Sequence, residues 1–148
     1  MSRRKYIQGI FRPRHPERYK GSQPILYRSS WELKFYRWCD NNSNVISWGS
    51  ESVVIPYQSP LDGKIHCYFV DGVLRLKDKN NKIHNYLVEI KPLKQTLPPN
   101  PNRKKTKSLL REQYMYAVNI AKWQAAKVWC DKNNYKFKIL TEKDLAIR

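Results

Sequence analysis

Three places in this 148-residue chain carry side chains able to do chemistry together: Asp71, the triplet Glu89-Ile90-Lys91, and Glu32. Asp71 lies within His66-Cys67-Tyr68-Phe69-Val70-Asp71-Gly72-Val73-Leu74-Arg75-Leu76, and the triplet closes Asn85-Tyr86-Leu87-Val88-Glu89-Ile90-Lys91. Both runs are rich in β-branched and aromatic residues, and Asp78-Lys79-Asn80-Asn81-Lys82 between them is turn chemistry, so the pattern predicts a β-hairpin. With the turn centred near Asn80, Asp71 and Glu89 are equidistant from it and face one another. Residues directly opposite on one face have Cβ atoms about 4.5–5.5 Å apart. Glu89 and Lys91 are two positions apart, and the pleat sends both to that face.

Two carboxylates that close raise one another's pKa or recruit a cation. Oxygen-only ligands suit a hard ion such as Mg²⁺, which keeps several waters and takes one or two carboxylates. A metal held there can polarise a phosphate oxygen and acidify a bound water, and a nearby lysine can steady the developing charge. On local grounds alone, a charged hairpin with a solvated face fits the same residues equally well, because exposed Asp, Glu and Lys are common. Glu32 has an ordinary task of its own. Ser29-Ser30-Trp31-Glu32 has the form of a capping box opening a helix.

Charge narrows the partners. Lys plus Arg number 29 against 12 Asp plus Glu, a formal charge of +17, and a polyanion is the natural counterpart. Nucleic acid fits better than an anionic membrane, since no basic amphipathic helix stands outside the expected core. No apolar run approaches a membrane-spanning length, and the basic N-terminus is not followed by the apolar stretch of a signal peptide. Cys39, Cys67 and Cys130 are isolated and fit no zinc spacing, which implies reduced thiols. His15, His66 and His84 each suggest a general base, but strand parity sends His66 to the face away from Asp71.

The elements that must position these groups follow from periodicity. Ser29 to Asn41 reads as a helix with Trp31, Phe35, Trp38 and Cys39 on its apolar stripe. Val45–Trp48 and Ser52–Tyr57 read as strands, the second ended by Pro56. Ser108 to Asp131 reads as a second helix covering the sheet through Leu110, Tyr114, Ala117, Val118, Ala121, Ala125, Val128 and Trp129, with Lys122 outside that stripe. Lys136–Leu140 is a short alternating strand, and Thr141-Glu142-Lys143-Asp144 looks like the start of a short terminal helix. The order of helices and strands predicts a mixed sheet with helices against it, in the α/β to α+β range. Residues 1–24 are basic, proline-punctuated and without hydrophobic period, so they read as an arm that orders on nucleic acid, ahead of one domain over 25–148. Arg3, Arg4, Lys5, Arg12 and Arg14 of the arm are candidate DNA contacts. So are Lys94, Arg103, Lys104, Lys105 and Lys107, in and after the proline-rich loop that leads out of the Lys91 strand.

A helical glutamate, then strands, then Asp on one strand and Glu-x-Lys on the next resembles the arrangement of PD-(D/E)xK nucleases. Val70-Asp71 stands where that family has Pro-Asp, Glu89-Ile90-Lys91 fits the second half fully, and Glu32 matches the glutamate many members add from a helix. The likeness is closest to transposon-encoded A-subunit endonucleases over about residues 25–145, including Phe137-Lys138-Ile139-Leu140-Thr141-Glu142. Within that group the whole chain is similar to the head completion nucleases of T-even-type tailed phages.

The resemblance implies a restriction-endonuclease-like mixed central sheet flanked by helices, and a Mg²⁺-dependent endonuclease in which Mn²⁺ can substitute. Asp71 and Glu89 would bind the metal, Glu32 would contribute directly or through water, and Lys91 would orient the attacking water or stabilise the transition-state phosphate. Double-stranded DNA is the implied substrate, phage head or portal and neck proteins the implied partners, and the host cytoplasm or the virion head the implied location. Gln113 and Lys122 on the second helix could approach phosphates, and solvent exposure explains them equally well. Two other readings share the charge: a non-catalytic DNA-binding structural protein of head completion, and an RNA-processing module.

Overall fold

Alternating burial along Ile83–Ile90 organises the structure: Leu87 and Glu89 point to one layer, Tyr86, Val88 and Ile90 to the other. In the computed structural model the described chain runs from residue 8 to residue 146, so Arg3, Arg4 and Lys5 lie outside it. The elements in order are β1 (Gly9–Phe11), β2 (Ile25–Tyr27), α1 (Ser30–Asn41), β3 (Val45–Ser50), β4 (Val54–Gln58), β5 (Ile65–Phe69), β6 (Gly72–Lys77), β7 (Ile83–Ile90), α2 (Lys107–Asn133) and β8 (Lys136–Leu140). The central sheet has the order β3-β6-β7-β8, antiparallel except for the parallel pair β7–β8. Two ribbons, β1–β2 and β4–β5, complete the strands.

Helix α1 and the N-terminal segment pack on one face, where Phe35, Tyr36, Cys39, Trp48, Leu74 and Val88 form a core. Helix α2 and the β4–β5 ribbon cover the other, with Ile55, Tyr68, Leu87, Trp123 and Ala126 inside. A mixed sheet between helical layers is the α+β architecture that the order of elements implied, consistent with the restriction-endonuclease-like sheet implied by the resemblance.

The structure corrects several local expectations. The run His66–Leu76 is two strands, not one. β5 pairs with β4, while β6 pairs with β3 and β7. The chain steps from one sheet to the next at Val70-Asp71, where the Val70 amide donates to the Val53 carbonyl at 3.1 Å. Pro56 does not end its strand; it sits inside β4 opposite Cys67, on a two-stranded ribbon where a missing N–H is tolerated. After β8 the described residues form turns, not a helix: the Thr141 amide donates to Asp144 Oδ2 at 2.8 Å, and Ala146 has φ 55°.

Residues 8–24 are not a free arm. Gly9–Phe11 pairs with Ile25–Tyr27, and Phe11 and Tyr19 enter the core against Trp48, at ring-centroid distances of 6.0 and 4.8 Å. Asp40, 3 % exposed, anchors this segment by accepting the Arg14 and His15 amides at 2.7 and 2.9 Å. Two aromatics and one distant carboxylate hold a stretch that has no periodicity to announce it.

Both helices are turned only in part from their predicted stripes: Phe35, Cys39 and Val118 are buried and Ala121, Ala125 and Trp129 pack on the core as expected, but other members are not. In α1, Trp38 is 45 % exposed, and Tyr36 lies inside with its hydroxyl 2.7 Å from Ser50 Oγ. In α2, Leu110, Tyr114 and Val128 face solvent, whereas Leu109, Val118, Asn119, Trp123, Ala126 and Cys130 are buried. That rotation brings Lys122 onto the sheet side.

Candidate active site

The β6–β7 ladder runs from Lys77↔Ile83 to Gly72↔Val88, and one step further sets Asp71 opposite Glu89. Asp71 itself stands just before β6, in the step between sheets. A Cβ on Gly72 would come within 2.7 Å of the Phe35 ring, so glycine there lets α1 close on the sheet beside Asp71. The N-terminal turn of α1 thereby reaches the end of the sheet that carries the carboxylates.

Each acidic side chain is held by a specific donor. Asp71 Oδ2 accepts the Ile90 amide at 2.7 Å. Glu89, 5 % exposed, accepts the Tyr68 hydroxyl on Oε1 at 2.6 Å, and its Oε2 lies 3.5 Å from Lys91 Nζ. Lys91 in turn is fixed through its backbone amide, which donates to the Leu140 carbonyl of β8 at 3.0 Å. At the helix start, Ser29 Oγ accepts the Glu32 amide at 3.1 Å. Glu32 Oε1 reaches back to the Arg28 amide at 2.8 Å, one residue before the N-cap, so the capping box takes a displaced form.

These groups share one open cavity of about 630 Å³, lined by Glu32, Tyr68, Asp71, Glu89, Lys91 and Lys122 together with the first turn of α1. Burial, and next the charge of Glu89, hold the Asp71 carboxyl well above the usual carboxylate range, against the pull of the Ile90 amide. Burial likewise raises Glu32, opposed by the Arg28 amide. Burial first, then the neighbouring Glu89 carboxylate, keeps the Tyr68 hydroxyl protonated and donating.

Such a donor set asks for a cation. Asp71 and Glu89 offer carboxylate oxygens in a partly desolvated site where their charges oppose one another. Among the described residues no three His, Cys, Asp or Glu side chains gather tightly enough to cage an ion. A pair of carboxylates suits an ion that takes one or two of them and completes its shell with water. Glu32 lines the same cavity without closing a third ligand position.

Other candidate residues lie elsewhere. Arg103 forms a forked pair with Glu112, its Nη1 and Nη2 at 2.7 and 3.2 Å from the two oxygens. Lys105, Lys107 and Gln113 line a separate surface pocket at the start of α2. Arg12, Arg14, Lys94 and Lys104 are exposed, and among the described residues none of these basic groups lines the carboxylate cavity. His66 pairs with Asp62 at 2.9 Å and His84 with Asp78 at 2.7 Å, both outside it.

Sequence reasoning missed Tyr68 and set Lys122 aside. Tyr68 carries a faint signal, three residues ahead of Asp71 in an apolar run. Lys122 carries a better one: it is four residues from both Val118 and Ala126, the row that is in fact buried.

A mixed sheet between helices, with an aspartate and a Glu-x-Lys triplet meeting at the end of two neighbouring strands, is the frame of a PD-(D/E)xK endonuclease. The family described as "TnsA-like endonuclease N terminal" matches residues 42–142, and the chain belongs to it. It is also 40 % identical over 142 residues to the protein named "Head completion nuclease" of Enterobacteria phage T4, covering 93 % of this chain and 92 % of that one. The protein is therefore a DNA endonuclease, a phosphodiester hydrolase. Among the described residues no helix is long and apolar enough to cross a membrane.

Proposed function

We propose that this protein is a Mg²⁺-dependent endonuclease, with Mn²⁺ able to substitute, that acts on phage DNA or its ends during head completion and virion assembly. The carrying observation is the meeting of Asp71, Glu89 and Lys91 in one cavity, in a chain similar along nearly its whole length to a head completion nuclease. Phage head, portal or neck proteins are the partners this reading implies.

Asp71 and Glu89 would hold the divalent ion, with Glu32 contributing through water. When bound, the ion supplies Lewis-acid polarisation of a phosphate oxygen and a more acidic water. Lys91, beside Glu89, orients the attacking water and faces the charge that grows on the phosphate. Tyr68 fixes the Glu89 carboxylate by donating to Oε1, which leaves Oε2, 3.5 Å from Lys91 Nζ, free of the tyrosine. Ser29 and Arg28 keep Glu32 at the cavity edge by tying the first turn of α1. The basic segments Arg12–Arg14 and Lys94–Lys107 would hold the duplex outside the cavity, so affinity should fall steeply with salt.

A cleavage assay on linear duplex DNA, with Mg²⁺ and with EDTA, tests the reading. Cutting is expected with the metal and not without it, while duplex is still retained on a filter in EDTA. Glu89→Gln, which keeps an acceptor for Tyr68, should be inactive. Cleavage that survives both EDTA and Glu89→Gln would overturn the assignment.

Tyr68→Phe isolates the supporting hydroxyl. The ring and its packing stay, and the donor to Glu89 goes. Partners that orient metal-binding side chains typically contribute about 10–100-fold in metal affinity or activity. The variant should therefore need more Mg²⁺ and cut about 10–100-fold more slowly at limiting metal, with duplex binding in EDTA unchanged. Wild-type Mg²⁺ dependence in Tyr68→Phe would show that the hydroxyl only fills space.

A further inference from the structure

Lys122 sits on the buried row of α2, four residues after Val118 and four before Ala126, which are 8 % and 0 % exposed. A lysine in that row packs its aliphatic stem on the core and must turn its ammonium toward a polar opening. The opening is the cavity that holds Asp71, Glu89 and Lys91. Its Nζ lies 5.8 Å from the centroid of the Tyr57 ring and 5.6 Å from that of Tyr68. Among the described residues no carboxylate stands within ion-pair distance of it. Lys91 differs, since it is drawn to Glu89 at 3.5 Å.

A cation near two aromatic rings is held by their quadrupoles, with its N–H donors still available to an oxygen ligand. Next to a paired lysine and a set of carboxylates, the natural ligand for that second ammonium is an anion that enters with the substrate. We propose that Lys122 is a substrate-positioning residue that grips a non-bridging phosphate oxygen of the DNA strand in the cavity, on a shelf made by Tyr57 and Tyr68. This rests on the nuclease reading and adds to it a phosphate contact separate from Asp71, Glu89 and Lys91. Tyr68 then serves two ends of the site, its hydroxyl on Glu89 and its ring under Lys122.

The test compares wild type, Lys122→Ala and Lys122→Arg in steady-state cleavage of a labelled linear duplex, and in duplex binding across a salt series in EDTA. Lys122→Ala is expected to raise KM about tenfold with kcat changed by less than about threefold. The plot of log affinity against log salt should become shallower by about 0.9, the contribution of one phosphate contact. Lys122→Arg, which keeps the charge, should recover most of both. The proposal fails if folded Lys122→Ala keeps the wild-type KM and salt slope. It fails equally if the variant loses thermal stability and kcat together without moving the slope, because the lysine then only packs on the tyrosines. Absence of cleavage by the wild type would sink the nuclease reading instead, and the EDTA salt series would still judge the phosphate contact.

Discussion

Lys91→Ala is expected to lower single-turnover cleavage of duplex DNA by about 10²–10³-fold, the usual cost of removing one preorganised group that meets developing charge. Folding should weaken without collapsing: the ammonium offsets the buried Glu89 carboxylate at 3.5 Å and the Asp71 charge beside it, while Glu89 keeps the Tyr68 hydroxyl. The residue's structural contribution to the sheet edge is its backbone amide, bonded to the Leu140 carbonyl, and alanine keeps that. With the ammonium gone, Asp71 and Glu89 face less positive charge, so metal binding should hold or tighten. The loss must then appear in the chemical step and not in the Mg²⁺ requirement. Lys91→Arg should recover only part of the rate, since a planar fork places its donors differently from a compact ammonium. Single-turnover rates at saturating Mg²⁺, beside thermal melts, check this; a Lys91→Ala rate within threefold of wild type would remove Lys91 from the mechanism.

The pairing of Asp71 with Glu89 was legible in the chain because a hairpin's register follows from where its turn is centred. Asp78–Lys82 is unmistakable turn chemistry, and the observed ladder places Gly72 opposite Val88. The division of His66–Leu76 into two strands was not legible. β5 and β6 share the same β-branched and aromatic composition, and the step between sheets is marked by Gly72 and by no proline or long polar insert. The face of α2 was legible only in part for a related reason. Its alanine-rich middle offers two apolar rows, and periodicity does not choose between them; the choice falls to Trp123 and Cys130, which fill the space over Leu87. Other misses depend on residues far apart in the chain. Asp40 meets amides 25 and 26 positions away, and Tyr68 meets a carboxylate 21 positions away. Such contacts leave no mark in a local window, so the basic N-terminal segment looked free and the Tyr68 donor to Glu89 went unseen.

Asp71→Asn should abolish cleavage and at the same time stabilise the metal-free protein, by about 1.4 kcal/mol for each pH unit by which burial and Glu89 raise the Asp71 carboxyl. The carboxylate is partly buried beside Glu89, and the Ile90 amide is the donor that compensates it. Asparagine has the same size and can keep that bond through Oδ1, so the change removes like-charge repulsion and little else. The sign of the pH dependence follows. Because the folded-state pKa of Asp71 is raised, the folded protein holds this proton more tightly than the unfolded chain does. Its contribution is fully present below the unfolded pKa and is lost as pH climbs through the folded one. The stability gap between Asp71→Asn and wild type should therefore widen from acid toward neutral pH. Adding Mg²⁺ should reverse the order: wild type gains RT ln(1 + [Mg²⁺]/Kd) from binding, and the variant, with one ligand gone, gains far less. Denaturant melts in EDTA and in Mg²⁺ at several pH values measure all of this. If Asp71→Asn is less stable than wild type in EDTA yet shows the full Mg²⁺-induced gain, Asp71 is a structural carboxylate and the ion binds elsewhere.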